Sequence, residues 1–287
     1  MKRKFVFCIL TVFLMYSTGF TQNCNEEFLC KDAYELTPSY SRFFSKVTGN
    51  KFISEQIAQI IIKNNLKKIA DGNFDIKTEF FSARDMKAGR FKSLEIKGKN
   101  ININGMYLTA LNLKTICDFN YLYIDKDWNM TVIEDLPMTF DFTITQEDLD
   151  KTVQSESYIK MLNDINRHIG GFFTVKSNSF KIKNEKLYCA MKIALPFVRK
   201  PQEIVFYSGL KVQDGQIKFT DARILNKSFS LNAEKLLNIL NYINPLDFSV
   251  IIQENKNVKI NVNNIYIENN EIKSDGTIVL LKDLIDE

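Results

Sequence analysis

The chain has 287 residues, of which 45% are hydrophobic and 25% charged, with a formal net charge of +4. That balance excludes intrinsic disorder and leaves room for one elongated domain or two similar halves. The residues at the N-terminus account for most of the excess positive charge, and they read as an export signal.

Lys2, Arg3 and Lys4 form a basic start and Phe5 to Tyr16 an uncharged apolar run, with Ser17 and Gly19 at signal-peptidase spacing. Cleavage is expected after Gly19. An uncleaved anchor is the alternative, although the apolar run is shorter than the roughly 20 residues a spanning helix needs. No lipobox precedes Cys24. Losing residues 1–19 removes three basic and no acidic side chains, so the charge falls from +4 to +1. Nucleic acid as a partner loses its electrostatic support with them. Lys181, Lys183 and Lys186 remain as a basic strand face, read as solvated in preference to an anionic-lipid contact.

Residues 20–50 form a polar lead. Cys24, Cys30, Cys117 and Cys189 survive cleavage, an even number that allows disulfides in an oxidising compartment. Cys24 and Cys30 are placed to close a small loop, whereas Cys117 and Cys189 read as buried thiols. His168 is the only histidine and there is no CxxC, so no metal site and no cofactor are expected.

The apolar positions Ile53, Ile57, Ile60, Ile61, Leu66 and Ile69 recur at helical spacing and predict an amphipathic helix from about Ser54 to Ala70, ended by Asp71-Gly72. Short alternating strands follow between Phe74 and Ile144, an antiparallel meander. Thr145 opens a second long helix, to Asn166, with Asp148 completing a variant capping box. Leu149, Val153, Met161, Leu162 and Ile165 form its apolar stripe, and Gly170-Gly171 stop it.

The second half carries the clearest pattern. Leu187, Cys189, Met191, Ile193, Leu195 and Phe197 share one parity, as do Ile204, Phe206, Leu210 and Val212. Asn184-Glu185, Asp214-Gly215 and Asn269-Asn270 punctuate hairpins. A third helix is expected near Ala233 to Tyr242, closed by Asn244-Pro245. The expected division is therefore 51–144, helix plus meander, and 145–287, helix plus hairpins, two halves alike in pattern and possibly one continuous elongated domain. The fold class is α+β, with curved antiparallel sheets packed on, or curled into an incomplete barrel around, long amphipathic helices.

The stretch Gly89-Arg90-Phe91-Lys92-Ser93-Leu94-Glu95-Ile96-Lys97-Gly98-Lys99-Asn100 resembles a G-x-F-x-S-hydrophobic-x-hydrophobic-x-G-x-N pattern of the LmeA-type phospholipid-binding proteins of bacterial envelopes. Thr145 to Leu149, Val212 to Phe219 and Leu240 to Leu246 resemble that family's helix start, Asp-Gly hairpin and helix end in the same order, so the likeness spans Ser54 to Leu281. It implies an elongated fold akin to the tubular lipid-binding superfamily, phospholipid as ligand, and an envelope location. It assigns no individual binding residue. The Cys24 to Tyr40 lead has no counterpart in it.

The expected function is an exported, non-enzymatic lipid-binding protein that shelters acyl chains in an apolar groove and touches a membrane surface transiently. Candidate lining residues are Ile57, Ile60, Ile61, Leu149, Val153, Met161, Leu162, Ile165, Met191, Ile193, Leu195, Phe206 and Leu210. Exchange needs no catalyst, because the roughly 0.8 kcal/mol per methylene gained in the groove is matched by the bilayer. The second hypothesis is an envelope adaptor with filled cores and a partner-binding sheet edge. A hydrolase would have to recruit His168 and lacks a nucleophile elbow. Glu134-Asp135 and Glu147-Asp148 read as turn and helix-start charges, and Trp128 as a loop aromatic in preference to an interface anchor. Asn129-Met130-Thr131 and Asn226-Lys227-Ser228 match the glycosylation triplet without further support.

Overall fold

The computed structural model describes residues 30, 34–47, 49–125, 127, 129–169, 173–196, 198–226, 233–246 and 257–282. The expected export segment 1–19, Cys24, Trp128, Gly170-Gly171, Phe197 and Lys227-Ser228 lie outside the described residues, as do the side chains of His168 and Leu236.

Helix α1 (Ser39–Val47) and α2 (Asn50–Ile69) are separated by Gly49, whose left-handed φ of 72° turns the chain between them. α2 leads through extended Ala70 directly into β1 (Asp71–Glu79). A short α3 (Ala83–Lys87) and β2 (Arg90–Phe91) precede the long hairpin β3 (Ser93–Ile103) and β4 (Met106–Thr115). Its turn is Asn104-Gly105, both at positive φ, which suits the twist of a two-residue hairpin. The short strands β5 (Asn120–Tyr121), β6 (Tyr123–Ile124) and β7 (Met130–Thr131) lead to β8 (Leu136–Ile144).

The long second helix of the sequence reading is two helices, α4 (Gln146–Gln154) and α5 (Glu156–Ile169). Ser155 breaks it: extended at ψ 150°, its hydroxyl accepts from the Tyr158 N–H at 3.2 Å and so caps the start of α5. A Cβ on Gly105 would collide with Ser155, so the break seats against the β3–β4 turn. The capping box at the start of α4 forms as read, with Thr145 and Asp148 bonding each other's backbone.

Strands β9 (Thr174–Lys183), β10 (Lys186–Ala194), β11 (Gln202–Gln213) and β12 (Gln216–Ile224) then make an antiparallel sheet in the order β12-β11-β10-β9. Its hairpin turns fall at Asn184-Glu185 and Asp214-Gly215. α6 spans Ala233–Tyr242. The final hairpin, β13 (Val258–Glu268) and β14 (Glu271–Leu280), departs from the expected two-part division. β14 pairs with β8 from Ile272↔Ile144 to Leu280↔Leu136, completing a six-stranded sheet β1-β3-β4-β8-β14-β13. The C-terminus of the second half thus finishes the sheet of the first.

The architecture is α+β with open antiparallel sheets, not closed barrels. The sheets touch where the Val262 N–H donates to the Gly215 carbonyl at 2.8 Å, and Gly215, at φ 69°, leaves no room for a Cβ against Asn261. A single apolar cluster runs through both: Ile76, Ile96, Leu108, Phe142 and Ile272 from the larger sheet, Phe180, Met191, Phe206 and Phe219 from the smaller, Leu149, Leu162 and Leu240 from the helices.

Candidate functional site

The residues expected to line a groove do not share one. Leu149, Met191, Ile193 and Phe206 are at most 1% exposed, and Ile61 and Leu162 are buried as well. Val153, Ile165, Leu195 and Leu210 are half-buried against the same cluster, and Met161 is half-buried. These side chains fill the interior, because the inner face of the four-stranded sheet meets α5 and the end of α6 directly. Tyr158 ties that contact: its hydroxyl donates to the Ile243 carbonyl at 2.7 Å and accepts from Asn178. Burial drives the Tyr158 phenol and the neighbouring Cys189 thiol to higher pKa.

Ile57 and Ile60 are not lining residues either; they face outward. The reason is visible in α2, which is apolar on two sides. Ala58, Ile61 and Ile62 are buried on the sheet side, whereas Phe52, Ile53, Ile57 and Ile60 stand exposed, Phe52 by 61% and Ile60 by 60%. α1 repeats the feature, with Tyr40, Phe43, Phe44 and Val47 all exposed at i, i+3, i+4, i+7 spacing. The region read as a polar lead therefore ends in an aromatic helix. Arg42, Lys46, Lys51, Lys63, Lys67 and Lys68 accompany these stripes, against Glu55 as the one acid between 39 and 69. Glu55 is held at 3.7 Å by Lys51 and accepts the Phe80 N–H.

Beneath α2 lies a small apolar cleft with about 310 Å³ of empty space, counted with the solvent at its mouth. Ala58 and Ile62 of α2, Phe80 just past β1, Phe91 of β2 and Leu94 of β3 line it, with Thr78 the one polar wall. The enclosed room within it is only about 10 Å³, that of a single water, far below the roughly 300–1,000 Å³ that small-molecule pockets occupy.

The chain ahead of α1 is fastened to the body. Cys30 is bonded to Cys117, with Cα atoms 5.5 Å apart. This corrects the expected Cys24–Cys30 loop: the fold carries Cys117, just past the end of β4, to the lead, a juxtaposition no local spacing encodes. Tyr34 packs edge-on against Phe119 and Tyr121, its hydroxyl donates to the Asn120 carbonyl at 2.8 Å, and the Arg90 guanidinium lies 5.1 Å above its ring. Burial first, and then the Tyr121 hydroxyl, push the Tyr34 phenol up to about 12. Thr37 follows, donating from its amide and hydroxyl to the buried Asp85 carboxylate, which also receives Ser82 at 2.6 Å.

Sheet edges were the sites expected of an adaptor, and those of the four-stranded sheet are closed. On β9, Gln146 donates to the Phe180 carbonyl and accepts from the Ile182 N–H, while Asn166 does the same for Val175. On β12, Asn241 accepts from the Phe219 N–H and Asn244 donates to the Ile217 carbonyl. Three helix-borne amides, and Asn244 just past the end of α6, thus stand where a further strand would pair.

The carboxylates flagged in sequence have structural partners. Asp148 belongs to the capping box, Glu147 pairs with Lys151 at 2.6 Å, and Asp135 accepts the Lys282 N–H. Among the described residues no three His, Cys, Asp or Glu side chains converge as a metal site, and no helix is long and apolar enough to cross a membrane. Compared with protein-family models, curated proteins and solved structures, the chain finds no match.

Proposed function

We propose that this chain is a lipid-binding protein of an extracytoplasmic membrane surface, which it meets through the outward faces of α1 and α2. One observation carries the reading: two successive helices expose Phe43, Phe44, Val47, Phe52, Ile53 and Ile60 while six of their seven charged side chains are cationic. An exposed apolar helix face accompanied by cations lies in the interface of an anionic bilayer. Each Phe or Ile withdrawn fully from water contributes about 1.5–3 kcal/mol, and each cation near an anionic surface adds about 1 kcal/mol. A few of each reach the roughly 8 kcal/mol of micromolar binding. The disulfide and the N-terminal apolar segment support an oxidising compartment, and the likeness to LmeA-type proteins supports phospholipid.

Shelter of acyl chains inside the protein is the fuller form of the proposal. The packed interior along Leu149 and Phe206 offers no space for it, so a tail would enter the cleft beneath α2 as that helix lifts from β1. The test is sedimentation of the purified chain with vesicles of phosphatidylcholine alone or with phosphatidylglycerol, followed by organic extraction and mass spectrometry of the detergent-free protein. Retention on the anionic vesicles is expected. Equal, negligible retention on both removes the proposal, and retention without extractable lipid confines it to surface docking.

A further inference from the structure

The outward face of the four-stranded sheet is the part of the molecule that a bilayer contact through α1 and α2 does not use. Strand register places Lys181 of β9 opposite Tyr188 of β10, Tyr188 opposite Tyr207 of β11, and Tyr207 opposite Arg223 of β12. These four residues form one rung across the sheet, two aromatic rings flanked by a cation at each end. With strands about 4.8 Å apart the rung spans roughly 14 Å. The rings are 5.7 Å apart and tilted by 49°, and Lys186 sits 4.3 Å over Tyr207. Both tyrosines are half-exposed, and Lys181, Lys183, Lys186, Lys192 and Arg223 are exposed.

Charge is concentrated on this unit. Residues 173–226 carry ten basic and four acidic side chains, a net of +6 within a chain of +4, so the remainder is at −2. Of the four acids, Glu203 faces Lys192 across strands, Asp221 lies 3.5 Å from Lys211, and Glu185 and Asp214 sit in the hairpin turns. The rung itself bears no acid. On the neighbouring registers the outward positions Ala190, Val205 and Gly209 are small, so the rung stands open on both sides.

We infer that this face binds a linear polyanionic glycan, with its carboxylates or sulfates at Lys181 and Arg223 and sugar rings on Tyr188 and Tyr207. Two aromatic rings with a cation at each end, along one line, suit a chain of anionic rings: the cations recognise the acid groups, and the phenol rings accept the apolar C–H faces of pyranoses. Single-stranded nucleic acid has related needs. The Cys30–Cys117 bond favours the glycan, because disulfides persist in oxidising compartments, where acidic polymers are glycans. The inference stands independently of the lipid reading.

The test titrates the full chain with oligogalacturonate at about 0.15 M salt, beside neutral dextran and oligothymidylate, in the wild type and in Tyr188→Ala, Tyr207→Ala and Lys181→Glu/Arg223→Glu. Oligogalacturonate is expected to bind and dextran not to. Each tyrosine variant should bind roughly tenfold more weakly, the charge variant should not bind measurably, and melting temperatures should be unchanged. No binding by the wild type overturns the inference. So does binding indifferent to both tyrosine variants, which is charge attraction alone, or tighter binding of oligothymidylate, which assigns the face to nucleic acid.

Discussion

Asn166 takes the place of a neighbouring strand for Val175, accepting its N–H at 2.8 Å and donating to its carbonyl at 2.8 Å. A helix thereby satisfies both hydrogen-bonding groups of an edge residue without extending the sheet. Gln146 repeats the device one turn of the sheet away, at Phe180 and Ile182.

Removing these amides reopens the edge. Asn166→Ala should lower stability by about 1 kcal/mol, since water replaces part of what is lost at an edge. Combined with Gln146→Ala it should also produce concentration-dependent association. Urea unfolding measures the first and sedimentation velocity the second; a double variant that stays monomeric and equally stable contradicts the argument.

The bond between Cys30 and Cys117 closes a loop of 87 residues, for which chain entropy alone predicts a contribution of about 4.6 kcal/mol. Reduction, or Cys117→Ser, should shift the urea midpoint accordingly. Peptide mapping without reductant should recover Cys30 linked to Cys117. Cys189, buried and with its thiol pushed up by burial, should resist alkylation until the chain unfolds.

Phe43→Ser with Ile60→Ser probes the helical face. Both side chains are exposed, so stability should change by no more than about 0.5 kcal/mol. Retention on phosphatidylglycerol vesicles should fall at least roughly tenfold, the equivalent of about 1.4 kcal/mol. Loss of folding with loss of binding would point instead to a structural role for the face.

Tyr34 sets an alkaline limit. Its phenol ionises near 10 when unfolded and about 12 when folded, so the native state holds the proton more tightly. The associated stabilisation is complete below pH 10 and is lost as pH rises through 12. Tyr34→Phe should flatten the fall in melting temperature over that interval. An unchanged slope would place the alkaline transition elsewhere.

What was legible in the sequence is what neighbouring residues decide among themselves. Parity in Leu187 to Ile193 identified the buried face of β10, Asp214-Gly215 its neighbouring hairpin, and Thr145 with Asp148 the start of α4. Periodicity also marked Ile53, Ile57 and Ile60 as apolar, but it says nothing of what covers them, and a second stripe at Ala58, Ile61 and Ile62 already held the sheet. Leu149 and Phe206 are apolar as read and lie buried in the interior; periodicity does not distinguish a lined interior from a filled one, because both demand the same side chains. The partner of Cys30, the break at Ser155 against Gly105 and the return of β14 to β8 depend on three-dimensional neighbours far away in the chain.

That return constrains how the polypeptide can be made. Synthesised from its N-terminus, β8 emerges with one flank paired to β4 and the other bare, and it stays bare until the last hairpin leaves the ribosome. A nascent chain in that condition offers Phe140 and Phe142 beside an unmatched backbone ladder, the kind of surface that holdase chaperones protect. Loss of the final hairpin would leave that intermediate without an end point, open to aggregation or proteolysis.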